Sequence, residues 1–260
     1  MTLAIDSTAT IWRKHMRKFL SNAEELFGTM IQPILWVVLF GVGMARTVVS
    51  AQTSGTGSYV GFMLPGIVAL SAMGGAIGGG MTWLDERVRG ILKEYLVAPI
   101  PRVSILLGTI GSTVSKAMIQ AIVIFAVGAL IGAQSGGSVL GWITAIILAI
   151  GYSIGFSGLA LAVASQTDDL MAYHAMIMLL NLPVLFLSNA LYQLRSLPGW
   201  MRIGAMANPT SYLVDGIRQG VLRGQEGEFP LWLCLVVVGG FAIAGLLLAT
   251  RAINSMTRRK

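Results

Sequence analysis

The feature that most constrains this chain is a series of six long apolar runs separated by short polar breaks, at residues 27–44, 59–84, 103–133, 139–165, 170–190 and 230–253. A bilayer core of ~30 Å, climbed at 1.5 Å per helical residue, needs about 20 such residues for each crossing. Each run is of that order, and only closed helical hydrogen bonding lets so apolar a segment cross lipid. Composition agrees: 55% of the 260 residues are hydrophobic and 11% are charged, against roughly 25% charged in soluble domains. The expected class is therefore an all-α integral membrane protein with six transmembrane helices. The third run exceeds one perpendicular crossing and must tilt, kink or protrude.

The breaks set the orientation. Lys and Arg near span ends are retained on the cytoplasmic side. Six spans with the N-terminus inside leave twelve basic residues in the cytoplasm and five outside, with Lys116 within a span. Both termini are expected in the cytoplasm. Residues 13–18 followed by the first run could also be read as a cleaved signal peptide, with Val49-Ser50-Ala51 as the small-residue site, but the leading region and the apolar run are both long for one. The net charge of +7 lies in clusters flanking apolar runs, as topology signals do, and not in a nucleic-acid-binding patch. Cys234 is the sole cysteine, so no disulfide framework or cysteine-rich metal site is expected, and no Gly-Lys pair exists to build a phosphate-binding P-loop.

Three segments do more than span. Over residues 1–26, Trp12, Met16, Phe19, Ala23 and Leu26 recur at helical spacing, with Arg13, Lys14, Arg17 and Lys18 elsewhere on the wheel. The pattern predicts an interfacial helix with its apolar face down, serving either as a basic anchor or also as a contact for a cytoplasmic partner. Over residues 85–99, Val88, Ile91, Leu92, Tyr95 and Leu96 form a stripe, with Glu86, Arg89, Lys93 and Glu94 on a mixed-charge face. This is an amphipathic helix ending at Pro99, either a linker lying on the membrane or a docking element. Residues 191–229 are too long for a turn and too broken for a span. Asn208 and Pro209 have the character of a helix start, and Asp215, Arg218, Gln219 and Arg223 face away from Leu213, Val214, Ile217 and Val221. A half-length helix with an exposed, weak Asp215–Arg218 pair is expected there, serving either as a lid or as part of a route.

Ionisable groups within spans are costly and draw attention to themselves. Lys116 is a candidate for lining a route to an anionic headgroup, or else for snorkelling or pairing with a carboxylate. His174 is read as a near-interface hydrogen-bonding residue. Gly74 with Gly78, Gly75 with Gly79, Gly128 with Gly132, and Gly151 with Gly155 are spaced for close helix contact.

Three stretches together carry a family resemblance: Asp85-Glu86-Arg87-Val88-Arg89-Gly90-Ile91-Leu92-Lys93-Glu94-Tyr95-Leu96-Val97-Ala98-Pro99-Ile100-Pro101-Arg102, Phe62-Met63-Leu64-Pro65-Gly66, and Asn208-Pro209-Thr210-Ser211-Tyr212-Leu213-Val214-Asp215-Gly216-Ile217-Arg218. In this order among six spans they resemble the type-2 ABC exporter permeases, the daunorubicin-resistance and nodulation-factor export permeases among them. One departure is Ile91, where that family commonly has Thr. The resemblance implies one transmembrane domain over residues 1–260: an amphipathic helix at 1–26, spans one to five within 27–190, re-entrant external half-helices at 191–229, span six at 230–253 and a tail at 254–260. It implies a cytoplasmic coupling helix, carried by Glu86, Arg87, Arg89, Gly90, Glu94 and Pro99, that meets a separate ATPase. ATP and Mg would be bound by that P-loop ATPase partner and no cofactor by this chain. The assembly would include a second copy or a homologous permease, in membrane lipid of the cytoplasmic (inner) membrane, without nucleic acid. Export of a drug, lipid or lipid-linked glycan follows, with Lys116, Asp215 and Arg218 as substrate-route candidates. An ion-coupled secondary transporter is the alternative, disfavoured because carboxylates are scarce within the spans; an integral membrane enzyme is disfavoured because no His/Asp/Glu cluster converges on one face.

Overall fold

The computed structural model describes residues 2–43, 59–97, 100–133, 136–191, 194–222 and 227–258. Helices dominate: α1 (Thr2–Ser21), α2 (Ala23–Gly43), α3 (Tyr59–Val88), α4 (Ile91–Val97), α5 (Arg102–Leu130), α6 (Val139–Ala164), α7 (Leu170–Phe186), α8 (Gly199–Ala207), α9 (Pro209–Val221) and α10 (Leu231–Arg258), with one 3-10 turn at Leu194–Ser196. Among the described residues, four segments are long and apolar enough to cross a bilayer: Val60–Val88, Arg102–Leu130, Val139–Ala164 and Leu231–Ile253.

Side-chain caps place several boundaries. The Asn22 Oδ1 accepts the backbone N–H of Glu24 and Glu25 at 3.1 and 3.3 Å. Ser138 caps α6, Asp169 caps α7, and Asn208 caps α9 ahead of Pro209. The Asn22 cap divides what the apolar stripe of residues 1–26 suggested was one helix. Part of the apolar face of α1 is covered by protein, and Trp12 stays partly exposed. Ile11, Met16 and Phe19 are buried, α1 lies along α5, and the Trp12 indole donates to Ser115 Oγ at 3.0 Å. Burial against protein satisfies the stripe as well as lipid would, and the indole gains a polar partner. At the other end of the chain α10 continues past residue 253 to Arg258.

Contacts fix the helix directions. α3 and α5 are antiparallel, with Gly79 against Thr113 and Gly128 against Leu64. α2 and α5 are parallel, joined by Glu25–Lys116 and Thr29–Gln120. α7 returns antiparallel to α3, since the Tyr173 hydroxyl donates to the Ile77 carbonyl and Ala190 abuts Gly66. α6 and α10 run parallel at close range: a Cβ on Gly158 would collide with the Gly245 carbonyl, and one on Gly245 with Gly155. The close approach is what small residues on membrane helices permit. One end of the bundle thus gathers α1, α4 and the start of α5 around Trp83, Leu84, Leu92, Ile105, Leu161 and Tyr173. The opposite half holds the larger core, in which α9 is set among α3, α6 and α10.

Candidate coupling and transport sites

The charged corner after α3 is two elements. Asp85–Val88 complete α3; Gly90, at φ +84°, turns the chain in the left-handed region that favours glycine; α4 then runs Ile91–Val97. This corrects the single stripe expected over residues 85–99. Leu92 is buried as expected, but Val88 sits on α3 and is exposed. The expected polar face is also divided. Glu86 is only 7% exposed and binds the Lys14 ammonium at 2.6 Å, and that ammonium also donates to the Tyr95 hydroxyl and lies 5.1 Å from its ring centroid. Arg87 pairs with Asp168 at 2.8 Å and donates to the Ser165 and Thr167 carbonyls, at 3.0 and 3.3 Å, where a cation suits the C-terminal end of α6. Arg89 pairs with Asp85 at 2.8 Å at the surface. Glu94 is free to face outward, being exposed on α4. Pro99 lies outside the described residues, as does the Lys93 side chain.

The electrostatics of the corner centre on α1. Burial lowers the Lys14 pKa, but the hydrogen bonds to Glu86 and Tyr95 outweigh it and hold the ammonium above its ordinary value. His15 beside it is pushed down, first by burial and then by Lys14, Lys116 and Lys18, against an opposing pull from Glu86. Its Nε2 is buried without a partner.

A cleft of mixed polar and apolar lining runs over the exposed glycines of α3. Its inner part, about 370 Å³, is lined by Lys18, Glu25, Gly78, Asp85, Lys116 and Leu170 among others. Its outer part, about 330 Å³, lies between α2, α3 and α7 and includes Gln32, Trp36, Ser71, Asn181 and Leu185. Thr29, Gly74, Gly75 and Gln120 line both parts. Lys116 is paired: its ammonium binds Glu25 at 2.7 Å and lies 4.7 Å from the Phe19 ring centroid. The carboxylate pairing open from sequence is present. Glu25 and Gln120 were not singled out from sequence, although Glu25 stands one turn ahead of Thr29 on the face that meets α5.

The Asp215–Arg218 site is corrected most. α9 is buried nearly all round, Asp215 is 1% exposed, and Arg218 is 6%. They do not form the expected pair. The Asp215 carboxylate accepts from Gln219 Nε2 at 2.9 Å, Phe229 N–H at 2.9 Å and Glu228 N–H at 3.2 Å, tying α9 to the start of α10. The Arg218 guanidinium donates to the Phe62 and Asn189 carbonyls at 3.3 and 3.2 Å and stacks over the Phe62 ring at 4.1 Å. Nearby, the Asn208 amide donates to the Val184 and Leu187 carbonyls at 2.6 Å each, where α7 runs out at Phe186, earlier than the expected residue 190. His174 is exposed on α7.

Long apolar helices, close-packed through glycine and opened on one side by a cleft, are the architecture of an integral membrane protein. The chain belongs to the ABC-2 type transporter family, whose pattern residues 6–222 match. It is 31% identical over 242 residues to a putative transport permease, ycf38, of Porphyra purpurea, covering 86% of this chain and 82% of that one. It is similar to the inner membrane transport permease YadH of Escherichia coli K12, 24% identical with 90% of each chain covered. It also resembles the daunorubicin resistance ABC transporter permease protein DrrB1 of Streptomyces coeruleorubidus, 25% identical over 91% of this chain and 82% of the relative.

Proposed function

We propose that this chain is the membrane subunit of an ATP-driven exporter of hydrophobic or amphipathic molecules. A separate P-loop ATPase docks on α4 and carries ATP and Mg²⁺, and a second copy or a homologous permease completes the transmembrane unit. The observation that carries this reading is α4 itself, a short helix thrown clear of α3 by Gly90, anchored by Leu92 and Tyr95, and presenting Glu94 to solvent. A mere linker between α3 and α5 would need no such anchoring. The name of the DrrB1 relative supports an ABC setting.

The whole chain then forms one domain of six crossings, α2, α3, α5, α6, α7 and α10, in the cytoplasmic membrane. The alternating helix directions support that count, with both termini in the cytoplasm and α8 and α9 re-entering from the outside. Glu86, Arg87, Arg89 and Gly90 shape the coupling corner, and Pro99 belongs to it by sequence. Lys14–Glu86 and Arg87–Asp168 join it to α1 and to the α6–α7 turn. The cleft over α3 is the substrate route, with Lys116 and Glu25 at its inner end, while Asp215 and Arg218 hold α9 against the start of α10 and the carbonyls of Phe62 and Asn189. Carboxylates on the spanning helices lie at their ends, in α2 and α3, where an ion-coupled carrier would place one midway.

The test is co-purification with a P-loop ATPase encoded nearby, followed by Glu94→Lys. Charge reversal there is expected to weaken ATPase association at least severalfold while thermal stability is kept. Unchanged association and transport would reduce α4 to a linker. Topology is read in a Cys234→Ala background: Ser54→Cys reacts with an impermeant external thiol reagent and Asp168→Cys does not. External labelling at 168 would overturn the span count.

A further inference from the structure

The cleft over α3 carries both signs of charge at its inner mouth and no charge higher up. At the mouth, Lys116 is answered by Glu25 at 2.7 Å, and Asp85 by Arg89 at 2.8 Å, while Lys18 at the rim is exposed to solvent. Above it, the hydrogen-bonding groups are amides and hydroxyls: Thr29, Gln32, Ser71, Gln120 and Asn181. An anionic headgroup that passes the solvated Lys18 and seats at the waist would have to part Lys116 from Glu25, and breaking a partly buried pair is unfavourable. A cationic one would find both carboxylates engaged. Gln120 stands where the two parts of the cleft join, 5% exposed. Its Nε2 donates to the Thr29 carbonyl at 3.1 Å, while its Oε1 has no partner. That oxygen is turned toward Gly75, where an added Cβ would stand 3.7 Å from it. A buried acceptor left unpaired is a cost that an arriving hydroxyl or amide N–H removes. Trp36, Ile67, Leu70, Leu182 and Leu185 supply apolar wall alongside these groups.

We infer that the cleft binds an amphipathic molecule whose headgroup is uncharged and rich in hydroxyl or amide donors, selected by Gln120 at its waist. This rests on the permease reading for its role in transport, but binding can be tested apart from it. Trp36 lines the cleft and reports occupancy. In nanodiscs of the purified chain, a monoglucosyl diacylglycerol with brominated acyl chains is expected to quench the part of the fluorescence that Trp36→Phe removes. Phosphatidylglycerol with the same chains should quench it at least tenfold less effectively. Gln120→Leu should weaken the glucosyl lipid about tenfold, the worth of one hydrogen bond of typical strength. Asn181→Leu, which leaves the Gln120–Thr29 bond in place, should weaken it in the same direction. Equal or stronger quenching by phosphatidylglycerol, or unchanged glucosyl-lipid binding in both variants, would overturn the inference. A chain that shows the expected preference but neither recruits nor stimulates an ATPase would keep the inference and sink the exporter reading. A coupled ATPase with a cleft indifferent to headgroup would do the reverse.

Discussion

Replacing Asp215 by Asn separates two accounts of α9. The carboxylate accepts three hydrogen bonds, two of them from the backbone N–H groups of Glu228 and Phe229, at 1% exposure. Asn keeps one acceptor oxygen. If that oxygen stays with Gln219 and Phe229, the new NH₂ group faces the Glu228 N–H, donor against donor. The remaining bonds lose their charge assistance, worth roughly half their strength. One unpaired buried donor costs about 1–3 kcal/mol, so the total is about 2–4 kcal/mol. For a chain of this size that corresponds to roughly 5–15 °C in melting temperature. An exposed i, i+3 ion pair would be worth well under ~1 kcal/mol and shift melting by no more than a few degrees. Thermal unfolding of wild type and Asp215→Asn in the same detergent, at one scan rate because membrane proteins seldom refold, decides between them. Asp215→Ala, which abandons all three donors, should fall further still. Melting of Asp215→Asn within ~2 °C of wild type would refute the latch between α9 and α10.

Other outcomes are equally specific. Lys14→Met leaves Glu86 buried without its counter-charge, so α1 should detach more readily and trypsin should cut at the exposed Arg13 and Arg17 severalfold faster; unchanged nicking would show that the pair does not hold α1. Gly158→Leu drives a side chain into the Gly245 backbone, at a cost of about 2 kcal/mol or more, and should reduce the monodisperse yield of purified protein, whereas normal elution would contradict the close α6–α10 contact. The neutral form of His15 is favoured in the fold, so the unfolded chain takes up the proton first; stability is then full above about pH 6.5 and falls as the solution is acidified below it. His15→Gln should flatten that part of the pH–melting curve, and an identical curve for the variant would place the acid sensitivity elsewhere.

Hydropathy and length by themselves determined the long spanning segments, because lipid forces every backbone polar group into a local helical bond and leaves the apolar run as the record of it. The corner at Gly90 was legible as an amphipathic element, and its resemblance to a known family pointed to the right family. The Asn22 cap, followed by Glu24 and Glu25, was also legible, although the apolar stripe runs across it without a break. What the sequence left open was which partner each polar group would find. Lys14 reaches Glu86 and Lys116 reaches Glu25 across 72 and 91 residues of chain, distances over which local periodicity says nothing. α9 shows the limit most clearly. Asp215, Arg218 and Gln219 mark a polar face, and a polar face read alone means water. Only the tertiary structure sets that face against the N–H groups of Glu228 and Phe229 and the carbonyls of Phe62 and Asn189, where backbone groups stand in for solvent and a charged helix can be buried.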